Sequence, residues 1–257
     1  MSFTRTMLLG AALAAGITGS ASAADLSTYA PKGGSLKDTS YMPAIATQPS
    51  WYVRLDGAYA VYDTPVMVEQ GIDTLTETDL DSSFAFGGGI GKYMTSTLRA
   101  DINYERRFEA DARGSLNHSG ATLPGERRFG LKSDLFMANL YYDIDRGNRF
   151  NPYIGIGLGA VRHKTTEGTV ESCGCTTGIV EEGENWSVAG ALMAGFSLKL
   201  RSRFHLDAGY RFLYLGHAET GPVRTTGGTT GTQVSEDPTV EDIHAHEVRV
   251  GLRYDIR

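Results

Sequence analysis

Past its first residues the chain has no apolar run near the 20 or so residues that a bilayer-crossing helix needs, which excludes a helical membrane protein of the usual kind. Cysteine is nearly absent. Cys173 and Cys175 are the only two in 257 residues, too few for a disulfide framework. A basic surplus is missing too, with 24 lysines and arginines against 30 acids. No basic tract suited to a phosphate backbone occurs, so nucleic acid is not an expected partner. What is plentiful is glycine, 32 residues, and tyrosine, 13, a combination that leans toward strands and close packing.

The amino terminus carries Arg5, an apolar run from Met7 to Ile17, and Ala21-Ser22-Ala23. These are the parts of a secretory signal over residues 1–23, cut after Ala23 and too short to span a bilayer. Residues 24–50 hold Pro31, Gly33, Gly34, Pro43 and Pro49, which break any period and predict an extended, mobile periplasmic leader. In an exported chain, Cys173 and Cys175, one glycine apart, read as an oxidised pair at a loop tip or as exposed thiols. A metal site would want more ligands nearby.

Residues 51–257 repeat one pattern. From His246 to Arg257, Val248, Val250, Leu252, Tyr254 and Ile256 alternate with Glu247, Arg249, Gly251, Arg253 and Asp255, so one face is oily and the other charged. Comparable alternation predicts strands at about Trp51 to Tyr62, Ser83 to Tyr93, Leu98 to Phe108, Leu135 to Asp143, Tyr153 to His163, Trp186 to Leu198 and Phe204 to Tyr214. In the fourth, Leu135 and Met137 blur the alternation. In the fifth, Gly155, Gly157 and Gly159 leave one face almost without volume, room for something bulky such as a crossing arginine.

The links sort by length. Met94 to Thr97, Ile144 to Arg149 and Lys199 to Ser202 are short, whereas Asp63 to Ser82, Glu109 to Lys132, Lys164 to Asn185 and Leu215 to Asp242 are long, and the two kinds alternate. Outer-membrane barrels have short periplasmic turns and long outer loops. Strands of about 9 to 11 residues match a tilted crossing of the hydrocarbon layer. Aromatics predict two girdles, with Trp51, Tyr93, Tyr142, Phe150, Phe204 and Tyr254 at the periplasmic ends and Tyr59, Phe84, Tyr104, Trp186 and Phe212 nearer the outer ends. Lys92 and Arg106 fall on the lipid-facing parity near strand ends, where a long side chain snorkels. The expected fold is an all-β, eight-stranded antiparallel up-and-down transmembrane barrel in the outer membrane.

The inward parity collects Arg54, Arg99, Arg211, Arg249 and Arg253 against Asp56, Asp101, Glu105, Asp143, Asp207, Glu247 and Asp255. With signs nearly balanced in a lumen only wide enough for side chains, a paired network is expected rather than a wide pore. A narrow diffusion channel remains the alternative. His205 and Asp207 share a strand face, but inward charges of this kind occur in any small barrel and specify no triad. His244 and His246, at i and i+2, face the same way at the outer rim, where they would serve as ordinary polar residues or as haem or metal ligands. No bound cofactor is otherwise implied.

Leu98 to Glu105, Asn151-Pro152-Tyr153 through Gly159, Ala208 to Phe212 and Glu247 to Asp255 resemble the small eight-stranded outer-membrane barrels of the OmpA/OmpX type, nearest the surface-antigen barrels of alphaproteobacteria. The resemblance spans about Trp51 to Arg257. It implies a non-enzymatic envelope protein and surface antigen whose partners are outer-membrane lipid and lipopolysaccharide, the barrel assembly machinery and an unidentified ligand of the outer loops. It carries no catalytic residue, and some relatives bind haemin or are labelled porins. Such barrels usually finish on an aromatic residue, whereas this chain ends Tyr254-Asp-Ile-Arg257, so the assembly signal is expected from Tyr254 and Ile256.

Overall fold

The structure is a computed structural model that describes residues 50–69, 73–74, 76–116, 125–144, 148–172, 175–225, 233–235 and 238–256. The expected signal and all of the leader but Ser50 lie outside the described residues, as does Cys173. The side chain of Cys175 is likewise outside them.

The strands, in chain order, begin with β1 (Trp51–Tyr62), β2 (Val66–Glu69), β3 (Asp73–Thr74), β4 (Thr76–Leu80), β5 (Ser83–Tyr93) and β6 (Leu98–Leu116). They continue with β7 (Gly125–Asp143), β8 (Phe150–Thr165), β9 (Gly168–Ser172), β10 (Cys175–Val180), β11 (Gly183–Lys199) and β12 (Phe204–Tyr214). The last are β13 (Ala218–Glu219), β14 (Val223–Thr225), β15 (Gln233–Ser235), β16 (Pro238–Glu241) and β17 (His244–Ile256). Eight of them close a barrel in the cyclic order β1, β5, β6, β7, β8, β11, β12, β17. Each pairs antiparallel with its neighbours, and β17 returns to β1 through Leu55↔Leu252. Closure leaves the barrel without an unpaired edge, the condition for placing strands in lipid. Ile102, Leu158, Val188, Leu192 and Val250 are exposed on the outer face, while Arg54, Arg99, Glu105, Arg211 and Glu247 are buried inside.

Four barrel strands run past the expected 9 to 11 residues by five residues or more. β6 runs on to Leu116, β7 starts at Gly125 rather than Leu135, β8 spans Phe150–Thr165 and β11 starts at Gly183. Much of the expected loops 109–132 and 164–185 is therefore strand. β9 pairs with the outer end of β7, and β10, β14 and β15 follow in the same sheet, while β4 lies along the outer end of β6. A second small sheet has the order β13, β16, β2, β3.

The cause is an exchange of solvents along one strand. Below the outer aromatics, β7 turns Phe136, Leu140 and Tyr142 out to lipid and Asn139 and Asp143 inward. Above them it turns Phe129, Leu131 and Leu135 inward and leaves Arg128 exposed. β6 does the same past a register irregularity between Arg107 and Ala110, with Ala110 and Ala112 buried and Asp111 and Arg113 exposed. The inward apolar residues join Met67, Leu80, Val170, Val180, Leu215, Val223, Val240 and Ile243 in an apolar core over the outer mouth of the barrel.

The bare face of β8 is filled by side chains of β7, not by arginines reaching across it. A β-carbon on Gly155 would meet the Tyr141 ring, one on Gly157 Asn139 and Met137, and one on Gly159 the Phe136 carbonyl and Met137. Tyr93 also departs from its expected place in the girdle. It points inward, is buried, and donates to Asp255 at 2.7 Å.

Candidate functional site

Two regions carry the chemistry, the lumen and the outer face. Alternation on the eight strands aims polar side chains at one axis, and closure of the barrel stacks them in three levels. At the periplasmic end, Arg99 Nε donates to Asp143 at 3.1 Å, and its guanidinium lies over the rings of Tyr141 (4.1 Å), Tyr153 (5.0 Å) and Tyr52 (5.9 Å). Arg253 donates to Ser197 at 2.7 Å and Asp207 at 3.3 Å, and lies over Tyr52 and Tyr93.

In the middle level, Arg54 grips Asp56 with two bonds, 2.6 and 2.7 Å, and reaches Asp101 at 3.0 Å and the Tyr141 hydroxyl at 2.9 Å. Asn139 and Tyr52 also donate to Asp101, at 2.7 and 3.0 Å. Arg249 stands between Asp56, 3.7 Å, and Glu105, 3.3 Å. At the outer level Glu105 receives Arg107 at 3.0 Å and Arg211 at 2.6 Å, and Glu247 receives the same two arginines from the other side. Burying ions costs several kcal/mol each, so such a lumen is tolerable only because the charges offset one another.

The ten residues singled out as the lumen network, Arg54, Asp56, Arg99, Asp101, Glu105, Asp207, Arg211, Glu247, Arg249 and Arg253, are all buried there. Arg107 belongs with them. It shares the parity of Glu105, but its place one residue from the expected strand end hid it. The tyrosines and Asn139 that complete the network carried no such signal, because a tyrosine fits either face of a barrel strand. Between Arg54, Asp56, Tyr153, Asp207 and Arg249 the cavity is about 10 Å³, room for about one water molecule.

Above the network is His163, buried in the part of β8 that stands beyond the outer aromatics, where its outward neighbours Arg162 and Lys164 pair with Glu184. Its Nε2 faces the Leu215 carbonyl at 2.9 Å, which only accepts. Nε2 therefore carries the proton, and Nδ1 accepts from the Ser133 hydroxyl at 2.8 Å. Burial pushes the imidazole down to about 4, so it is neutral at ordinary pH.

The other described histidines have aromatic, hydroxyl or single-carboxylate neighbours. His244 stacks on Phe212 and also lies against Tyr214, while His246 contacts the Tyr210 hydroxyl and Asp63. Among the described residues no three of histidine, cysteine, aspartate and glutamate converge as metal ligands. His205 contacts Asp255 at 2.9 Å rather than Asp207, and Asp207 is taken by Arg253.

On the outer face, charges meet in pairs above the girdle. Arg106 holds Asp134 through two bonds, Lys132 meets Glu109 at 2.6 Å, and Arg128 meets Glu126 at 2.9 Å. The hydrogen bond from Arg128 holds the Glu126 carboxyl below its ordinary range.

The model for the outer membrane protein beta-barrel domain matches residues 10–255. An uncharacterized protein of Brucella abortus (strain 2308) is 30% identical over 276 residues, covering 92% of this chain and 93% of the relative. A protein of Rickettsia bellii named as a candidate adhesin is 23% identical over 214 residues, covering 80% of this chain and 88% of its own. The outer membrane protein OprG from Pseudomonas aeruginosa shares the fold, with a TM-score of 0.51 at 13% identity over 81% of this chain and 98% of that one. The family places the protein in the outer membrane. By its domain match and its coverage of these relatives, the chain belongs to the outer membrane β-barrel family.

Proposed function

We propose that this protein is a non-enzymatic surface barrel whose filled cylinder holds up an outer platform of short strands for contact with molecules outside the cell. One observation carries the reading. The lumen is stacked from end to end with paired arginines, carboxylates and tyrosines and is covered at its outer mouth by an apolar core, so the inside is committed to rigidity and the outside to presentation. The name of the Rickettsia relative is in keeping with such a role. Contact is then made by the outer strands and their connections, where exposed side chains are free to vary without disturbing the closed barrel.

The test is electrical and immunological together. Refolded protein in a planar bilayer should give a silent membrane, and antibodies raised against the folded chain should bind intact cells. Steady stepwise currents would overturn the filled-lumen reading. A silent barrel that antibodies fail to reach on whole cells would overturn the surface role.

A further inference from the structure

We propose that the arc of short turns below β8, β11, β12 and β17 binds the phosphate headgroup of an anionic phospholipid in the inner leaflet of the outer membrane. The inference rests on the membrane orientation in which the short turns face the periplasm.

Cations are distributed unequally between the two ends of the barrel. On the outer side the exposed cations are held by carboxylates, as in Arg113 with Asp81, Arg128 with Glu126, Lys132 with Glu109 and Arg224 with Glu181. At the other end Arg149, Lys199 and Arg201 are exposed, Arg203 is half-buried, and none of the four has an ion-pair partner among the described residues. The described carboxylates nearest them are turned into the lumen. Asp143 accepts from Arg99, and Asp255 from His205 and Tyr93.

The fold brings the four together. The Lys199 amide donates to the Arg149 carbonyl at 2.8 Å, joining two turns, and the Asp255 amide donates to the Arg203 carbonyl at 2.9 Å, tying the second turn to β17. Just above the cations is an apolar shelf. Phe150 stacks on Phe196 with centroids 5.1 Å apart, Phe204 lies 4.9 Å from Tyr254, and Leu200 is exposed in the turn itself. The remaining short turn, Met94-Thr95-Ser96-Thr97, has no charge of its own, and Lys92 beside it lies over the Trp51 ring at 5.4 Å.

An oily shelf with cations directly beneath it that have no ion-pair partner among the described residues matches a ligand whose acyl chains lie beside its phosphate. A soluble acidic polymer would use the cations and leave the shelf idle. Aromatic residues seat at the headgroup level, and basic residues next to them attract anionic lipid.

The experiment uses the folded mature chain in mixed phosphatidylcholine and phosphatidylglycerol micelles, with retained lipid read by native mass spectrometry. Phosphatidylglycerol should be kept in preference, and Arg149→Gln/Lys199→Gln/Arg201→Gln should lose it by roughly five-fold for each cation removed. The outer-face variant Arg128→Gln/Arg224→Gln should keep it. If the triple variant folds poorly, Lys199→Gln/Arg201→Gln, at two exposed positions, carries the same test. Equal retention of both lipids by the parent, or equal loss in the outer-face variant, would overturn the proposal. So would cation-dependent sedimentation with purified peptidoglycan with lipid retention unchanged, which would assign the arc to the wall polymer.

Discussion

Glu105 is the residue on which the outer half of the lumen turns, since Arg107, Arg211 and Arg249 all lie within 3.3 Å of its carboxylate. Glu105→Gln keeps the shape but leaves three buried arginines to share Glu247 and Asp56. Removing one member of a buried charge set typically costs about 3 to 5 kcal/mol. The urea midpoint of the folded band in detergent should fall accordingly, whereas Glu126→Gln on the exposed outer part of β7 should move it little. An unchanged midpoint for Glu105→Gln would mean that the network is not what holds the cylinder. His163 gives a second expectation, in pH. Its folded value, about 4, is below the ordinary 6.5, so the unfolded chain takes up a proton first as pH falls. The contribution is complete above about pH 6.5, declines as pH falls toward 4 and is level below that. It amounts to about 3 kcal/mol at most. Unfolding midpoints measured between pH 4 and 7 should show this slope, and His163→Gln, which still donates to the Leu215 carbonyl, should flatten it.

At the level of elements, β17 shows how lipid disciplines a strand. Val250, opposite Gly57 and Ala208, is midway between the lower aromatics at Tyr254 and the upper ones at Phe212 and is exposed on the lipid face. Val250→Arg should cost about 2 to 4 kcal/mol near the midplane and sharply reduce the fraction that inserts and shows a heat-modifiable shift. Full insertion would sink the assigned depth. This discipline is also why the eight crossings could be read directly from alternation and from the spacing of short and long links. It fails above the girdle, where water replaces lipid outside and apolar residues replace charges inside. A reading that demands oil on the outer face ends β6 at Phe108 and begins β7 at Leu135, although Ala110, Ala112, Phe129 and Leu131 continue the same strands in the opposite sense. Leu135 and Met137 blur the expected fourth strand because they lie where the two senses meet. The lumen charges were legible for the same reason as the crossings. The tyrosines around Arg99 were not, since only the closed barrel brings Tyr52, Tyr141 and Tyr153 to one guanidinium.

For the whole molecule, barrel closure and outer platform are separable in principle, because none of the eight closing ladders includes β14 or β15. Deleting residues 223–235 with a short glycine-serine bridge should leave the heat-modifiable barrel intact while altering recognition of cells by antibodies against the native surface. Loss of the folded band would show that the platform is needed for closure. The strands that outlast the membrane have one more effect. From Arg107 to Leu116, β6 adds nine steps, about 30 Å of chain along its own direction. An envelope's outer leaflet is coated with sugar, and a barrel trimmed flush with its lipid would be hidden beneath that coat. Strands that run on this far past the lipid would lift the tips of the barrel into that coat, as the proposed surface role requires.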